Sequence, residues 1–225
     1  METSIKKLLS KKNIEKGIFI TFEGGEGSGK STQIKLLSKM LTEQNISHIV
    51  TREPGGTDIG EQIREILLQG KIEKLDAYSE FLCFAASRRE HLKKIILPAL
   101  AENKIVICDR YLDSSFVYQG MAGGLNKEII LYIHDSFCFK KYPDLTILLN
   151  VNPKIGLERK KKSILIENRF ENFNSKFHER VQEKFLELAN INNHRYRVID
   201  ADNQKDFIFN EIIEQIKHFF SLNLK

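Results

Sequence analysis

The sequence has little cysteine and no long apolar run, and both absences narrow the class of protein. Its three cysteines, Cys83, Cys108 and Cys138, are widely spaced among apolar neighbours. This spacing predicts reduced, buried thiols and argues against a disulfide framework or a CxxC metal site. No stretch approaches the ~18 apolar residues that a membrane helix needs, and no signal-peptide pattern is present. We therefore expect a cytoplasmic protein without a membrane partner.

Neither sign of charge dominates the chain. Its 225 residues include 35 lysines and arginines and 30 acidic residues, which give a formal net charge of +5 at pH 7. An anionic partner suits this balance, but the two signs are interspersed along the sequence. A phosphorylated small molecule fits such mixing, whereas the clustered basic surface typical of a nucleic-acid binder is missing, so no nucleic-acid partner is expected.

The length and the 41% hydrophobic content predict one sizeable domain. Residues 1–16 are rich in lysine and end before the first apolar run, so we expect a flexible N-terminal extension followed by a single domain over residues 17–225. An organellar targeting segment is the alternative interpretation of the extension.

The most informative segment is glycine-rich and lies between an apolar run at residues 18–22 and a helical pattern. It fits G-x-x-x-x-G-K-[ST] without a mismatch. Its glycines allow a tight turn that brings backbone N–H groups to phosphate oxygens at a helix N-terminus. Lys30 can reach the β and γ phosphates of ATP, and the Ser31 hydroxyl can ligate a bridging Mg²⁺. The predicted ATP-binding residues are Gly24, Gly25, Glu26, Gly27, Ser28, Gly29, Lys30, Ser31 and Thr32.

Short apolar runs alternate with helical patterns along the whole chain. Strands are predicted at residues 18–22, 47–51, 104–109, 145–151 and 196–201. The alternation predicts an α/β fold of the P-loop type, with a five-stranded parallel sheet and helices on both faces. Ligands of such a sheet bind at the carboxyl ends of its strands.

One predicted helix carries both a start signal and an apolar stripe. Asp58 and Glu61 have the spacing of a capping box. Helical periodicity then predicts a core-facing stripe formed by Ile59, Ile63, Ile66 and Leu67.

Asp109 ends the third predicted strand, where P-loop enzymes place a carboxylate beside Mg²⁺. A helix cap or a salt bridge is the alternative. Arg110 follows, a candidate phosphate clamp, at the position where an ATPase would carry a glutamate to activate water. The N-K-x-D motif of GTPases is also missing, because residues 126–129 read NKEI. These absences favour phosphoryl transfer to a second anionic substrate over hydrolysis.

Phe84 and Arg88 are four residues apart on a predicted helix, so their side chains share a face. A planar base could stack on the Phe84 ring and accept hydrogen bonds from the planar guanidinium of Arg88. The alternative is that Phe84 belongs to the core, as aromatic residues at helical spacing usually do.

Together these segments resemble the bacterial thymidylate kinases, which are P-loop nucleoside monophosphate kinases. The resemblance rests on residues 22–32 (FEGGEGSGKST), 51–57 (TREPGGT), 81–88 (FLCFAASR) and 109–119 (DRYLDSSFVYQ). It implies transfer of the γ-phosphate of ATP to dTMP in dTTP biosynthesis, with Mg²⁺ as cofactor and a homodimer as the assembly. A kinase of another nucleoside monophosphate and a non-catalytic nucleotide-binding regulatory module are the alternatives.

The resemblance also implies roles for single residues. Glu26 is implied near the deoxyribose 3′-hydroxyl, and Tyr118 is implied to crowd the sugar 2′ position. The residues implied to hold the base are Phe84, Arg88, Ser115 and Gln119. The arginines implied on the acceptor side are Arg52, Arg64 and Arg110.

The glycine-rich segment has no arginine at its variable positions, so the resemblance implies that a lid at about residues 156–172 supplies a cation to the transferred phosphoryl group. Such a cation can be worth ~10³–10⁵ in rate. The basic residues of this lid are Arg159, Lys160, Lys161, Lys162 and Arg169. We expect Arg159 and Arg169 to join Lys30 and Arg110 as catalytic residues; a solvated run of charge is the alternative.

Overall fold

A sheet of five parallel strands forms the centre of the protein. The strands are β1 (Ile18–Glu23), β2 (His48–Arg52), β3 (Ile105–Asp109), β4 (Leu145–Asn150) and β5 (Tyr196–Asp200). Their order is β2-β3-β1-β4-β5, so β1 is central and its carboxyl end lies between those of β3 and β4. The predicted sheet is confirmed, and each strand boundary differs from the prediction by at most one residue.

The computed structural model describes residues 16–69, 75–161, 169–170 and 173–223. Most of the predicted N-terminal extension lies outside these residues. The same holds for Lys162 and most of the predicted lid, and only the backbone is described at Lys161. None of the described helices has the length and the apolar composition needed to cross a membrane.

Helices cover the sheet. Two π-helical segments, Leu92–Ile96 and Phe116–Ala122, each continue the α-helix that precedes them. The α-helices are α1 (Lys30–Glu43), α2 (Asp58–Leu68), α3 (Ala77–His91), α4 (Leu97–Ala101), α5 (Leu112–Ser115), α6 (Lys127–Phe137), α7 (Pro153–Lys161), α8 (Ser175–Ile191) and α9 (Lys205–Asn223). The π-helical segment Phe116–Ala122 continues α5 without a break, and it carries two of the predicted substrate residues.

Two apolar clusters lie on opposite faces of the sheet. Side chains alternate along β1, so Ile20 belongs to the cluster that α1 and α9 cover, whereas Phe19 belongs to the cluster that α3 and α8 cover. Helices on both faces of the sheet are thereby confirmed. Cys108 and Cys138 are buried, as predicted, but Cys83 is only half-buried.

The predicted start and stripe of α2 are both partly wrong. The N-cap is Thr57, not Asp58, because the Thr57 hydroxyl accepts a hydrogen bond from the Gly60 N–H at 3.0 Å. Leu67 is buried, but Ile59 and Ile66 are 46% and 47% exposed. The physical reason is that α2 packs mainly against α3, so only part of its apolar surface is covered.

Candidate active site

The phosphate-binding loop, residues 24–31, connects β1 to α1, which is the strand–turn–helix context that the motif requires. Gly29 has φ 92° immediately before α1, a left-handed conformation that suits glycine. Lys30 is only 8% exposed, and its Nζ donates to the Gly24 and Gly25 carbonyls at 3.1 and 3.0 Å. Burial and the nearby charge of Arg110 lower the pKa of Lys30 to about 8.

The two predicted magnesium ligands lie side by side. Phe22 of β1 is paired with Asp109 of β3, which brings the end of β3 next to the start of α1. The Ser31 hydroxyl donates to Oδ2 of Asp109 at 3.1 Å. A hydroxyl and a carboxylate thus converge at the mouth of the loop, and both are oxygen ligands of the kind that Mg²⁺ prefers.

Arg110 connects the phosphate-binding loop to the helix that begins at Leu112. Its Nη2 donates to Oε1 of Glu26 at 2.6 Å, and the Tyr118 hydroxyl donates to the same oxygen at 3.1 Å. Burial would raise the pKa of Glu26, but the charges of Arg110, Lys30 and Lys160 outweigh it and lower the pKa to about 2. The guanidinium of Arg110 also lies over the Tyr118 ring at 5.2 Å.

Glu23 fixes the backbone that follows Arg110, although the sequence analysis assigns it no role. This fully buried carboxylate accepts hydrogen bonds from the Tyr111 N–H at 2.8 Å and from the Ser114 hydroxyl at 2.6 Å. Arg110 itself has φ 65°, a strained conformation for a residue other than glycine. Burial and the charge of Asp113 raise the pKa of Glu23 to about 7.

The side chain of Arg88, on α3, is buried where α3 faces α5. Its Nε donates to Oε2 of Glu53 at 2.7 Å and its Nη2 donates to the Ser115 hydroxyl at 3.0 Å. Phe84, one turn earlier on the same face, is half-buried and is absent from both apolar clusters of the described residues. The partial burial of Phe84 argues against the core interpretation, and its contact with a base stays a prediction.

Glu53 and His91 hold Arg88 from behind, although the sequence alone assigns neither of them a role. Nδ1 of His91 lies 3.1 Å from Oε1 of Glu53, and Nε2 of His91 lies 2.6 Å from the Thr51 hydroxyl. Burial would raise the pKa of Glu53, but Arg88 and His91 outweigh it and lower that pKa. Two sequence signals were present, because Glu53 directly follows a predicted strand and lies in the segment 51–57 that carries the family resemblance.

Gln119 and Arg169 both contact the carboxylate of Glu80. Nε2 of Gln119 donates to Oε1 of Glu80 at 2.6 Å, and Nη1 of Arg169 forms an ion pair with Oε2. Arg169 also donates to the Leu67 carbonyl at 3.1 Å. These contacts place Arg169 beside the predicted base pocket. Its contact with the transferred phosphoryl group stays a prediction.

The remaining predicted arginines each donate to a carboxylate or to a backbone carbonyl. Arg52 is exposed and donates to Glu61 at 2.8 Å, whereas Arg64 donates to the Pro54 carbonyl at 2.8 Å. Arg159 of α7 donates to the Ala201 carbonyl at 2.8 Å, just after β5. The charge of Lys160, which follows Arg159 in the predicted lid, helps to lower the pKa of Glu26.

The backbones of the phosphate-binding loop and α7 approach each other closely. A Cβ atom at Gly27 would overlap the Gly156 carbonyl, and one at Gly156 would overlap the Glu26 carbonyl. The N-terminal part of the predicted lid, which falls within α7, therefore lies directly on the loop that would hold the phosphates.

Comparison with known proteins agrees with this geometry. The chain matches the model of the family described as thymidylate kinase over residues 22–212. It is 45% identical over 205 residues to a thymidylate kinase of Shouchella clausii, covering 90% of this chain and 96% of the relative. A thymidylate kinase of Staphylococcus haemolyticus is 43% identical over 201 residues, covering 89% of this chain and 98% of the relative.

Among solved structures, the crystal structure of thymidylate kinase from Ehrlichia chaffeensis is similar, with a TM-score of 0.71 and 36% sequence identity. The match covers 89% of this chain and 98% of that one. Fold, loop and sequence all lead to the same conclusion: the chain belongs to the thymidylate kinase family.

Proposed function

We propose that the chain transfers the γ-phosphate of ATP to dTMP in the cytoplasm, giving ADP and the dTDP needed for dTTP biosynthesis. One observation carries the proposal beyond family membership. Arg110 lies between the two halves of the site, because it contacts Glu26 of the phosphate-binding loop and Ser114 of the helix that lines the base pocket. A cation in that position suits two phosphates that meet end to end.

The donor half is the phosphate-binding loop. When ATP binds, Nζ of Lys30 would exchange the Gly24 and Gly25 carbonyls for phosphate oxygens. Backbone N–H groups at the start of α1 would hold the remaining oxygens. Ser31 and Asp109 would hold Mg²⁺, which, when bound, neutralises charge on the β and γ phosphates.

The acceptor half is the pocket around Phe84 and Arg88. The base would stack on Phe84, with Ser115 and Gln119 at its edge, while Glu26 and Tyr118 would face the deoxyribose. Arg52, Arg64 and Arg110 would bind the acceptor phosphate. Tyr118 is 7% exposed and its hydroxyl donates to Glu26; a side chain held in this way supports the proposal that Tyr118 disfavours a ribose 2′-hydroxyl.

Transfer itself requires that the two phosphates are aligned and that their charge is neutralised, and the protein has little covalent chemistry to perform. Arg110 and Lys30 supply cations from the body of the domain. Arg159, Lys160 and Arg169 are the candidates from the lid, whose closure would exclude water and so favour transfer over hydrolysis.

The decisive experiment measures ADP release with dTMP, dUMP, dCMP and AMP, each added separately. The highest rate is expected with dTMP. A higher rate with another monophosphate would contradict the proposed acceptor. ATP binding without any monophosphate-dependent ADP release would instead support the regulatory module that the sequence left open.

The affinity for ATP is expected to fall as the pH rises above about 8. Lys30 has a pKa of about 8 in the free protein, and a bound polyanion favours its charged form. Above that pH, binding must therefore take up a proton, which costs up to about tenfold in affinity per pH unit. Calorimetric titration of ATP across this range tests the slope. Lys30→Arg stays charged and should show a flatter profile; equal slopes for both proteins would contradict the assignment.

Phe84→Ala is expected to weaken dTMP binding by about 1–3 kcal/mol, because the base loses its stacking surface. Calorimetric titration with dTMP measures the loss. Phe207→Ala, which removes an exposed ring from α9, is the matched control and should bind like the wild type. Unchanged dTMP affinity in Phe84→Ala would argue that the ring does not contact the base.

We also propose that the chain forms a homodimer through the outer surface of α2, α3 and α6, which pack side by side. Large apolar side chains are exposed there, and they include Ile66, Leu82, Tyr132 and Phe137. Helix α3 packs against both α2 and α6, and exposed apolar side chains on neighbouring helices are typical of an interface between subunits. Sedimentation velocity should give twice the chain mass of 26.1 kDa, and Leu82→Glu should shift the population towards the monomer.

A further inference from the structure

Two buried side-chain pairs join α3 to the helix formed by α5 and the π-helical segment that continues it. Glu80 contacts Gln119 at one end and Arg88 contacts Ser115 at the other. Since residues four apart on a helix share a face, Phe84 lies on α3 midway between the two pairs. The half-buried ring is thus flanked by a fixed polar side chain on each side.

The pair with Glu80 determines which end of the Gln119 amide faces the carboxylate. An amide carries a donor NH₂ and an acceptor carbonyl, whereas an ionised carboxylate only accepts hydrogen bonds. Glu80 pairs as a carboxylate with Arg169, so the NH₂ of Gln119 must point to Glu80 at 2.6 Å. The Gln119 carbonyl is then directed away from Glu80 and remains available as an acceptor.

Such an acceptor has a definite preference among pyrimidine bases. Thymine and uracil present an N3–H donor next to the O4 acceptor, whereas cytosine presents an N3 acceptor next to an amino donor. Arg88 can only donate and Gln119, oriented by Glu80, offers a carbonyl. The two side chains together match thymine and oppose cytosine, because cytosine would place acceptor against acceptor and donor against donor.

We propose that Glu80 is a specificity-determining positioning residue, which holds the Gln119 amide with its carbonyl towards the acceptor base and so disfavours cytosine. The inference rests on the proposed function, since it assumes that a pyrimidine monophosphate occupies the Phe84 pocket. Glu80 itself does not touch the substrate. Its effect is transmitted through Gln119, and Arg169 supports it by pairing with its second oxygen.

Glu80→Gln tests the proposal, since a glutamine can present either a donor or an acceptor to Gln119 and the amide loses its fixed orientation. The measurement is the ratio of dissociation constants for dCMP and dTMP by calorimetry. We expect the preference for dTMP to fall by about tenfold, the worth of one misdirected buried hydrogen bond. Glu90→Gln is the matched control, because Glu90 lies on the opposite side of α3 from Arg88 and pairs with Lys94; it should keep the wild-type ratio.

A merely structural role for Glu80 would weaken dTMP and dCMP binding equally, and that result would overturn the proposal, as would an unchanged ratio. The double variant Glu80→Gln with Gln119→Met adds a second criterion. If Glu80 acts through Gln119, the double variant has the same ratio as Gln119→Met alone. A further fall in the ratio would overturn the proposal.

Glu80→Asp is the alternative if Glu80→Gln does not fold. It keeps a carboxylate for Arg169 but shortens the side chain by one methylene, which breaks the contact with Gln119. The same fall in the ratio is expected, and an unchanged ratio overturns the proposal. Failure of the proposed function is recognised separately, because the wild-type protein would then not release ADP in response to dTMP.

Discussion

Lys30→Ala is expected to lower kcat for dTMP phosphorylation by at least about 10²–10³-fold, the typical cost of removing one preorganised group that stabilises developing charge. Lys30 is the buried cation of the phosphate-binding loop, and its Nζ already lies within 3.1 Å of two loop carbonyls. Alanine would leave the transferred phosphoryl group without this charge. Initial rates with saturating ATP and dTMP measure the effect.

Binding of dTMP should survive in Lys30→Ala, because the residues proposed to hold the base lie on α3, α5 and the π-helical segment that follows α5. Calorimetric titration with dTMP checks this separation. Lys35→Ala removes an exposed lysine from the same helix and should retain wild-type turnover. A Lys30→Ala protein with normal kcat would refute the assignment of the loop as the donor site.

The second large effect is expected for Arg88→Met, which should lower the free energy of unfolding by about 3–5 kcal/mol. Arg88 and Glu53 have side chains that are 1% and 3% exposed, and removing Arg88 leaves the Glu53 carboxylate buried without its guanidinium partner. For a chain of this size the melting temperature should fall by roughly 10 °C. Thermal and urea unfolding measure the loss, and dTMP binding should weaken in parallel.

Two further variants separate the charge effect from the loss of packing. Arg89→Met makes the same substitution at the exposed neighbour of Arg88 and should cost less than about 1 kcal/mol. The double variant Arg88→Met with Glu53→Gln no longer has the carboxylate that lost its arginine, so part of the lost free energy of unfolding should return. A double variant that is less stable than Arg88→Met would contradict the unpaired-charge explanation.

The sheet and the phosphate-binding loop were predictable because their signals are local. An apolar run followed by glycines and Lys30-Ser31 identifies strand, turn and helix without reference to distant residues. The position of Asp109 beside Ser31 followed from the general rule that parallel strands end at the same edge of a sheet. Phe84 and Arg88 share a face because four residues make about one helical turn.

Features that depend on tertiary packing were not predictable from the sequence. Ile59 and Ile66 fit a buried stripe, but their exposure depends on which part of α2 meets α3. Glu53 and Glu80 look like ordinary surface carboxylates until the fold buries them against Arg88 and Arg169. Helix α7 is rich in basic residues and lacks a clear apolar stripe, so the helical periodicity that identifies other elements is missing there.

The backbone contact between Gly27 and Gly156 predicts how substitutions at Gly156 affect the protein. A crowding side chain can rotate to another conformer, whereas a peptide group can move only with the chain that carries it. Any side chain at Gly156 would therefore displace the donor site, although this residue lies far outside the nucleotide-binding signature. In a screen of all single substitutions for kinase activity, changes at Gly156 should be as damaging as changes at the glycines of the phosphate-binding loop. They should be more damaging than changes at the neighbouring residues of α7.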